Sequence, residues 1–155
     1  MLSTTMVSRL LDAADLLIKN GTLSGAYRRR AVSTAYYAVF HSLAKVCTKV
    51  LIADTRTDEY VRIYRALDHG PLKNAFSTGP LKDRAQLREI GNIVILLQSE
   101  RHKADYLPPT RGIFTRKRAQ ELVDQARDVV AKIEAPDEPD QVTLAAHLLF
   151  KNRTP

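Results

Sequence analysis

The side chains of this 155-residue chain that could do chemistry fall into three stretches. The first holds Arg28-Arg29-Arg30, then Tyr36-Tyr37 and His41. At 100° per residue on a helix, Arg30, Tyr37 and His41 fall within about 20° of one line. Such a row joins a guanidinium for phosphate, a phenol for stacking or hydrogen bonding, and an imidazole that titrates near neutrality. Its plainer alternative is a solvated arginine turn followed by a Tyr and a His that hydrogen-bond inside a bundle. The second stretch is Arg101-His102-Lys103-Ala104-Asp105-Tyr106, at the end of a helix before Leu107-Pro108-Pro109. Cations at a helix C-terminus suit the macrodipole, so Arg101, His102 and Lys103 could serve stability alone, but Asp105 and Tyr106 add groups that capping does not require. Downstream, Arg111 precedes Arg116-Lys117-Arg118, which stand in the first turn of a helix where positive charge is unfavourable. A phosphate held by those side chains and the free N-terminal amides would compensate them. The third stretch, Arg62 to His69, sets a His seven positions after an Arg, although a His before Gly70-Pro71 is also an ordinary turn residue.

Helices must position these groups. Apolar residues at helical spacing (Met6, Leu10, Leu11, Ala14, Leu17, Ile18) predict a helix over about 3–19, stopped by Asn20-Gly21. A long helix follows over about 24–51, with Val32, Ala35, Tyr36, Val39, Phe40, Leu43, Val46, Cys47 and Val50 on its broad apolar face. Short helices are expected over 60–67, capped by Thr57, and from Pro71 through Phe76, ended by Ser77-Thr78-Gly79-Pro80. The pattern over 81–101 is helical, although Ile93 to Leu97 alone would also suit a buried strand. That run covers every face of a helix, which fits either burial against a second subunit or the central helix of one monomer. A last long helix starts after Thr115, with Ala119, Leu122, Val123, Ala126, Val129, Val130 and Ile133 inward. The expected architecture is all-α: an up-and-down four-helix bundle over 1–134 with a short helical insert, then a linker and small apolar tail over 135–155 that docks back or grips a partner.

Composition narrows the function classes. Hydrophobic residues at 45% and charged residues at 26% predict a folded chain rather than a disordered one. The longest apolar run is far too short to cross a bilayer and no signal segment is visible, so neither export nor a membrane is expected. The single cysteine, Cys47, excludes an internal disulfide and a thiolate zinc cage, leaving a reducing cytoplasm as the simplest location. His41, His69, His102 and His147 show no paired spacing, so no metal is expected, and no Gly-rich phosphate loop or other cofactor signature occurs. Charge is the positive signal: residues 1–133 hold 22 basic and 13 acidic side chains, +9, whereas 134–155 hold 2 and 4, −2. A basic body attracts polyanions, nucleic acid before an acidic protein.

Three motifs carry a family resemblance. Ser33-Thr34-Ala35-Tyr36-Tyr37-Ala38-Val39-Phe40-His41-Ser42 resembles the "SRAYYAxFH" helix of HEPN-domain proteins, the higher-eukaryote and prokaryote nucleotide-binding superfamily. His69-Gly70-Pro71 leading to Phe76 is similar to their His-Gly segment, and Arg101 to Tyr106 is similar to their "RxxADY" loop. The order and spacing agree over about residues 3–134. The resemblance implies an all-α homodimer with polar residues of both subunits meeting in a cleft. Many members are metal-independent endoribonucleases of toxin–antitoxin or phage-defence systems, and others pair with a minimal nucleotidyltransferase that acts as antitoxin.

In such a nuclease the 2′-hydroxyl loses a proton, the 5′-oxygen gains one and the phosphorane charge is stabilised. The resemblance implies that Arg101 holds phosphate, that His102, His41 or His69 handles the proton, and that Tyr37, Asp105 and Tyr106 orient them. Arg29, Arg30, Lys103, Arg111, Arg116, Lys117 and Arg118 are the further candidate contacts to RNA or nucleotide. One departure stands out. Where the family's catalytic His follows its Arg by four to six residues, this chain has Asp105-Tyr106. A non-catalytic module that binds RNA, nucleotide or a nucleotidyltransferase, and a purely structural dimer, are the alternatives.

Overall fold

The computed structural model describes residues 5–21, 25–109 and 113–151. Among these it contains eight helices and no strand, an all-α helical bundle: α1 (Met6–Asn20), α2 (Gly25–Leu51), α3 (Asp58–Tyr64), α4 (Leu72–Phe76), α5 (Gly79–Asp83), α6 (Ala85–Tyr106), α7 (Arg116–Glu134) and α8 (Glu138–Leu149). Among the described residues no helix is long and apolar enough to cross a membrane. The chain divides into two compact units, residues 1–39 with 96–130, and residues 40–95 with 131–155.

In the first unit, α1 begins in a capping box, where the Thr5 hydroxyl accepts from the Ser8 N–H and Ser8 reaches back to the Thr5 N–H. Its buried face is Val7, Leu11, Ala14 and Ile18, so Val7 takes the inward place expected of Met6, which is half exposed. The start of α2 buries Ala31, Val32, Ala35, Tyr36, Ala38 and Val39. Alanines fill the positions between the expected stripe residues, which lets neighbouring backbones approach on a second side. Thr115 caps α7 by accepting from the Arg118 N–H at 3.0 Å, and every expected stripe residue from Ala119 to Val130 is buried. Across the polar margin, Arg127 reaches Asp15 at 2.6 Å and Gln120 donates to the same carboxylate at 3.2 Å.

In the second unit, Thr57 caps α3 as expected, accepting from the Tyr60 N–H at 3.1 Å. Pro71 stands one residue before α4 rather than inside it. Ser77 to Pro80, expected to end the local helix, instead turn the chain directly into α5, with Gly79 at φ +55°, a left-handed conformation costly to any residue with a Cβ. Ile93 to Leu97 are helical: Val94 and Leu97 are buried and Ile93, Ile95 and Leu96 half-buried, so the run does not bury every face within the chain. The expected tail is a regular helix, α8, which packs on α4 and α5 through Leu144, Ala145 and Leu148. Arg84 fixes it further, donating to Asp140 at 2.8 Å and to Thr143 at 2.9 Å. Cys47 is a buried core residue whose thiol is pushed up to about 12 by burial, so it stays protonated.

Gly91 of α6 is required by packing. A Cβ there would meet the Phe76 ring at 2.7 Å and the Phe76 Cβ at 2.9 Å. Gly91→Ala therefore sets a helix-propensity gain of about 1 kcal/mol against an overpacked core costing about 1–3 kcal/mol. Since the Cβ of Phe76 cannot rotate away, the clash dominates. Urea denaturation should show Gly91→Ala less stable than wild type, whereas Gly25→Ala, with nothing within 4 Å of the new methyl, should lose nothing.

Candidate functional site

Two groups of functional side chains are built, one in each unit. The first centres on Arg101, on the penultimate turn of α6. The six residues Arg101 to Tyr106 are thus helical rather than in a loop. The Arg101 guanidinium carbon lies 5.1 Å from the ring centre of Tyr36 and 5.8 Å from that of Tyr37, two rings of α2 set edge to face. One turn on, Asp105 pairs with it at 3.5 Å. Its side chain is only 13% exposed, and it donates a hydrogen bond to the Tyr36 hydroxyl, which also bonds Gln98. Burial pushes the Tyr36 phenol up to about 12 against the pull of Arg101, so the phenol is neutral and the guanidinium charged at neutral pH. One Arg101 donor, Nε, is buried without an acceptor among the described residues.

The remaining candidates near this group divide by role. Arg29 donates to the carbonyls of Ala104, Leu107 and Pro108, closing the C-terminal end of α6. Arg28 donates to the Phe114 carbonyl at 2.8 Å. Two of the three consecutive arginines are therefore committed to the backbone, and only Arg30 is exposed. His102 is exposed and lies against Tyr106, ring centres 4.8 Å apart, not against Arg101's guanidinium. Lys103 pairs with Glu100 at 2.9 Å, and Arg118 with Glu121 at 3.5 Å. Arg116 and Lys117 are exposed in the first turn of α7 with no carboxylate partner among the described residues. Arg111 lies outside the described residues.

The second group centres on His41. Its Nδ1 lies 2.6 Å from the Tyr64 hydroxyl of α3, which also reaches the backbone carbonyl of His41 at 3.4 Å. Tyr60, one turn before Tyr64, sets its ring 6.0 Å from it. Phe40, expected in the core stripe, is half-buried and carries the imidazole of His69 stacked at 3.8 Å, 18° from parallel. Arg62, seven positions before His69, is exposed. Burial lowers the His41 pKa below its ordinary value and pushes Tyr64 up to about 12, with Tyr60 adding to the latter. At neutral pH both are uncharged. An imidazole held neutral beside a phenol can take or relay a proton.

Sequence reasoning named Arg101, Asp105, Tyr37, His41 and His69, but assigned Tyr36 to the core and passed over Tyr64. Tyr36 is both fully buried and polar-bonded, which a stripe pattern cannot separate. The signal for Tyr64 was its four-residue spacing from Tyr60 behind the Thr57 cap. Among the described residues no group of three or more His, Cys, Asp or Glu is placed to hold a metal ion. No family model and no curated protein matches the sequence, and no solved structure matches the fold.

The lowered His41 pKa has a consequence for stability. Above pH about 6.5 the ring is neutral folded and unfolded alike. As pH falls through 6.5 the unfolded chain binds a proton that the folded chain still refuses, so stability is lost downward until the folded ring also titrates. The melting temperature should drop between pH 7.5 and 5, and His41→Gln should flatten that drop.

Proposed function

We propose that this chain is an RNA-acting protein of the HEPN kind, a metal-independent endoribonuclease that works as a cytoplasmic homodimer. Arg101 carries the reading. Its guanidinium is boxed by two aromatic rings, is paired with a carboxylate only at 3.5 Å, and keeps 13% of the side chain exposed. A phosphate oxygen that reaches the accessible part of the guanidinium would make charge-assisted contacts, which are strong. The motifs that resemble the family bear the same residues: Tyr36 and Tyr37 from the α2 motif, Arg101 and Asp105 from the α6 motif. The exposed Arg116 and Lys117 supply sequence-independent attraction to the backbone.

In the reaction a base takes the 2′-hydroxyl proton as O2′ bonds phosphorus. The P–O5′ bond then breaks and the 5′-oxygen takes a proton from an acid or from water, leaving a 2′,3′-cyclic phosphate and a 5′-hydroxyl. Arg101 would stabilise the charge on the phosphorane; the candidate imidazoles for the proton are His102 in the same unit, and His41 and His69 in the other.

A specific observation favours a second reading, a non-catalytic module that holds RNA, a nucleotide or a nucleotidyltransferase-type partner. Asp105 occupies the family's His position and pairs with Arg101, while His102 turns to Tyr106.

End-labelled RNA incubated in EDTA with wild type and with Arg101→Ala separates the readings. Cleavage to 2′,3′-cyclic phosphate ends is expected from wild type. Arg101→Ala should cleave at least about 100-fold more slowly, the equivalent of the upper range for a charged hydrogen bond. Arg101→Lys, which keeps the charge without the fork, should fall between. Intact RNA retained by wild type supports the module; RNA neither cleaved nor retained removes both.

A further inference from the structure

The Tyr64 hydroxyl has one proton and two contacts to satisfy. It lies 2.6 Å from His41 Nδ1 and 3.4 Å from the His41 carbonyl, which as a carbonyl can only accept. If the phenol gave its proton to Nδ1, the carbonyl contact would have no hydrogen and Nε2 would carry the ring proton. If instead Nδ1–H donates to the phenol oxygen, the phenol proton is free for the carbonyl, and both contacts are hydrogen bonds at once. Only the second arrangement satisfies the geometry in full, and it leaves Nε2 as a bare lone pair.

Several features keep the ring in that orientation. His41 lies in the interior of α2, so its carbonyl is fixed by the helix, and Tyr64 meets it from the last residue of α3, ring centres 5.8 Å apart and 31° from parallel. On the other side the Phe40 ring stands edge-on to His41 at 6.2 Å, itself weighted by the stacked His69. Nε2 bonds none of the described residues. Among the described residues the fully buried polar atoms that lack a partner are Ser42 Oγ, Arg101 Nε and Gln125 Oε1, so Nε2 is not among them, and His41 is only half-buried.

We propose that Tyr64 is a positioning residue that fixes His41 as its Nδ1–H tautomer and so presents Nε2 as the general base toward an RNA 2′-hydroxyl. The tautomer follows from this geometry alone, and the 2′-hydroxyl as proton donor rests on the RNA-cleavage reading. Nε2 takes the 2′-hydroxyl proton and becomes N–H, the imidazolium charge is shared through Nδ1–H with the Tyr64 oxygen, and the proton returns to solvent after product leaves. Tyr64 acts here as the third member of a nucleophile, base and orienter series, the part that a carboxylate takes in other enzymes.

Long-range 1H–15N spectra of the imidazoles at pH 8 test the tautomer on the intact chain, with His41 assigned by its disappearance in His41→Gln. The expected wild-type pattern is a pyrrole-type Nδ1 and a pyridine-type Nε2. Tyr64→Phe, which keeps the ring and removes the hydroxyl, should move His41 toward the Nε2–H form and slow RNA cleavage about 10- to 100-fold with KM unchanged. A wild-type His41 in the Nε2–H form overturns the proposal even if RNA is cleaved. An Nδ1–H tautomer that survives Tyr64→Phe also overturns it, since Tyr64 would not be what fixes the ring. If the tautomer is as expected and responds to Tyr64→Phe but no RNA is cleaved, the positioning by Tyr64 stands and the nuclease reading falls.

Discussion

The guanidinium of Arg29 on the open end of α6 is the contact on which the candidate phosphate site depends. A helix ends with four carbonyls that have no intrahelical donor, and α6 ends at Tyr106 without the glycine that commonly closes such an end. Arg29 supplies donors to the Ala104, Leu107 and Pro108 carbonyls instead, and its charge suits the negative end of the helix. Arg101 and Asp105 sit on the turn thus secured, and Arg28 ties the segment before α7 to the same stretch of α2. The arginine run that looks from its sequence like a nucleic-acid contact is mostly engaged in holding backbone carbonyls.

Arg101 is the charge that this scaffold holds. Its neighbours are a mixed set: two aromatic faces that attract a cation, one carboxylate at 3.5 Å, and a neutral phenol that accepts one of its hydrogens. Such a shell keeps the guanidinium charged while leaving the pairing loose, since 3.5 Å is longer than the 2.7–2.9 Å of a tight ion pair. A loosely paired, largely buried cation can exchange one anionic partner for another at little cost. The second group has the opposite character. His41 and Tyr64 are both uncharged at neutral pH and are joined by a short hydrogen bond of 2.6 Å.

Much of the architecture was legible from periodicity. The α7 stripe, the span of α2 and the Thr57 and Thr115 caps followed from spacing and cap chemistry that act within a few residues. What escaped depends on partners distant in sequence. Phe40 reads as a core residue but stacks on His69, 29 positions on, and the need for glycine at 91 is set by Phe76, 15 positions before it. The turn at Gly79 was legible as punctuation, but not that a new helix begins there. At the candidate site, Arg101 and Asp105 are one turn apart on one helix and could be paired from sequence. Tyr64 could not be assigned to His41, because its place is set by how α3 lies on α2.

The packing of α8 has a bearing on how the chain opens. The helix is joined to the rest by Ala135-Pro136-Asp137 and inserts only Leu144, Ala145 and Leu148 into the apolar interior, with Arg84 as a polar latch. Two leucines are worth on the order of 3–6 kcal/mol, from which the entropy of ordering a 12-residue helix must be subtracted. That difference is small beside the stability of a whole domain, so α8 can open locally while the helices it leaves stay folded, which would expose the residues that precede it to proteolytic nicking.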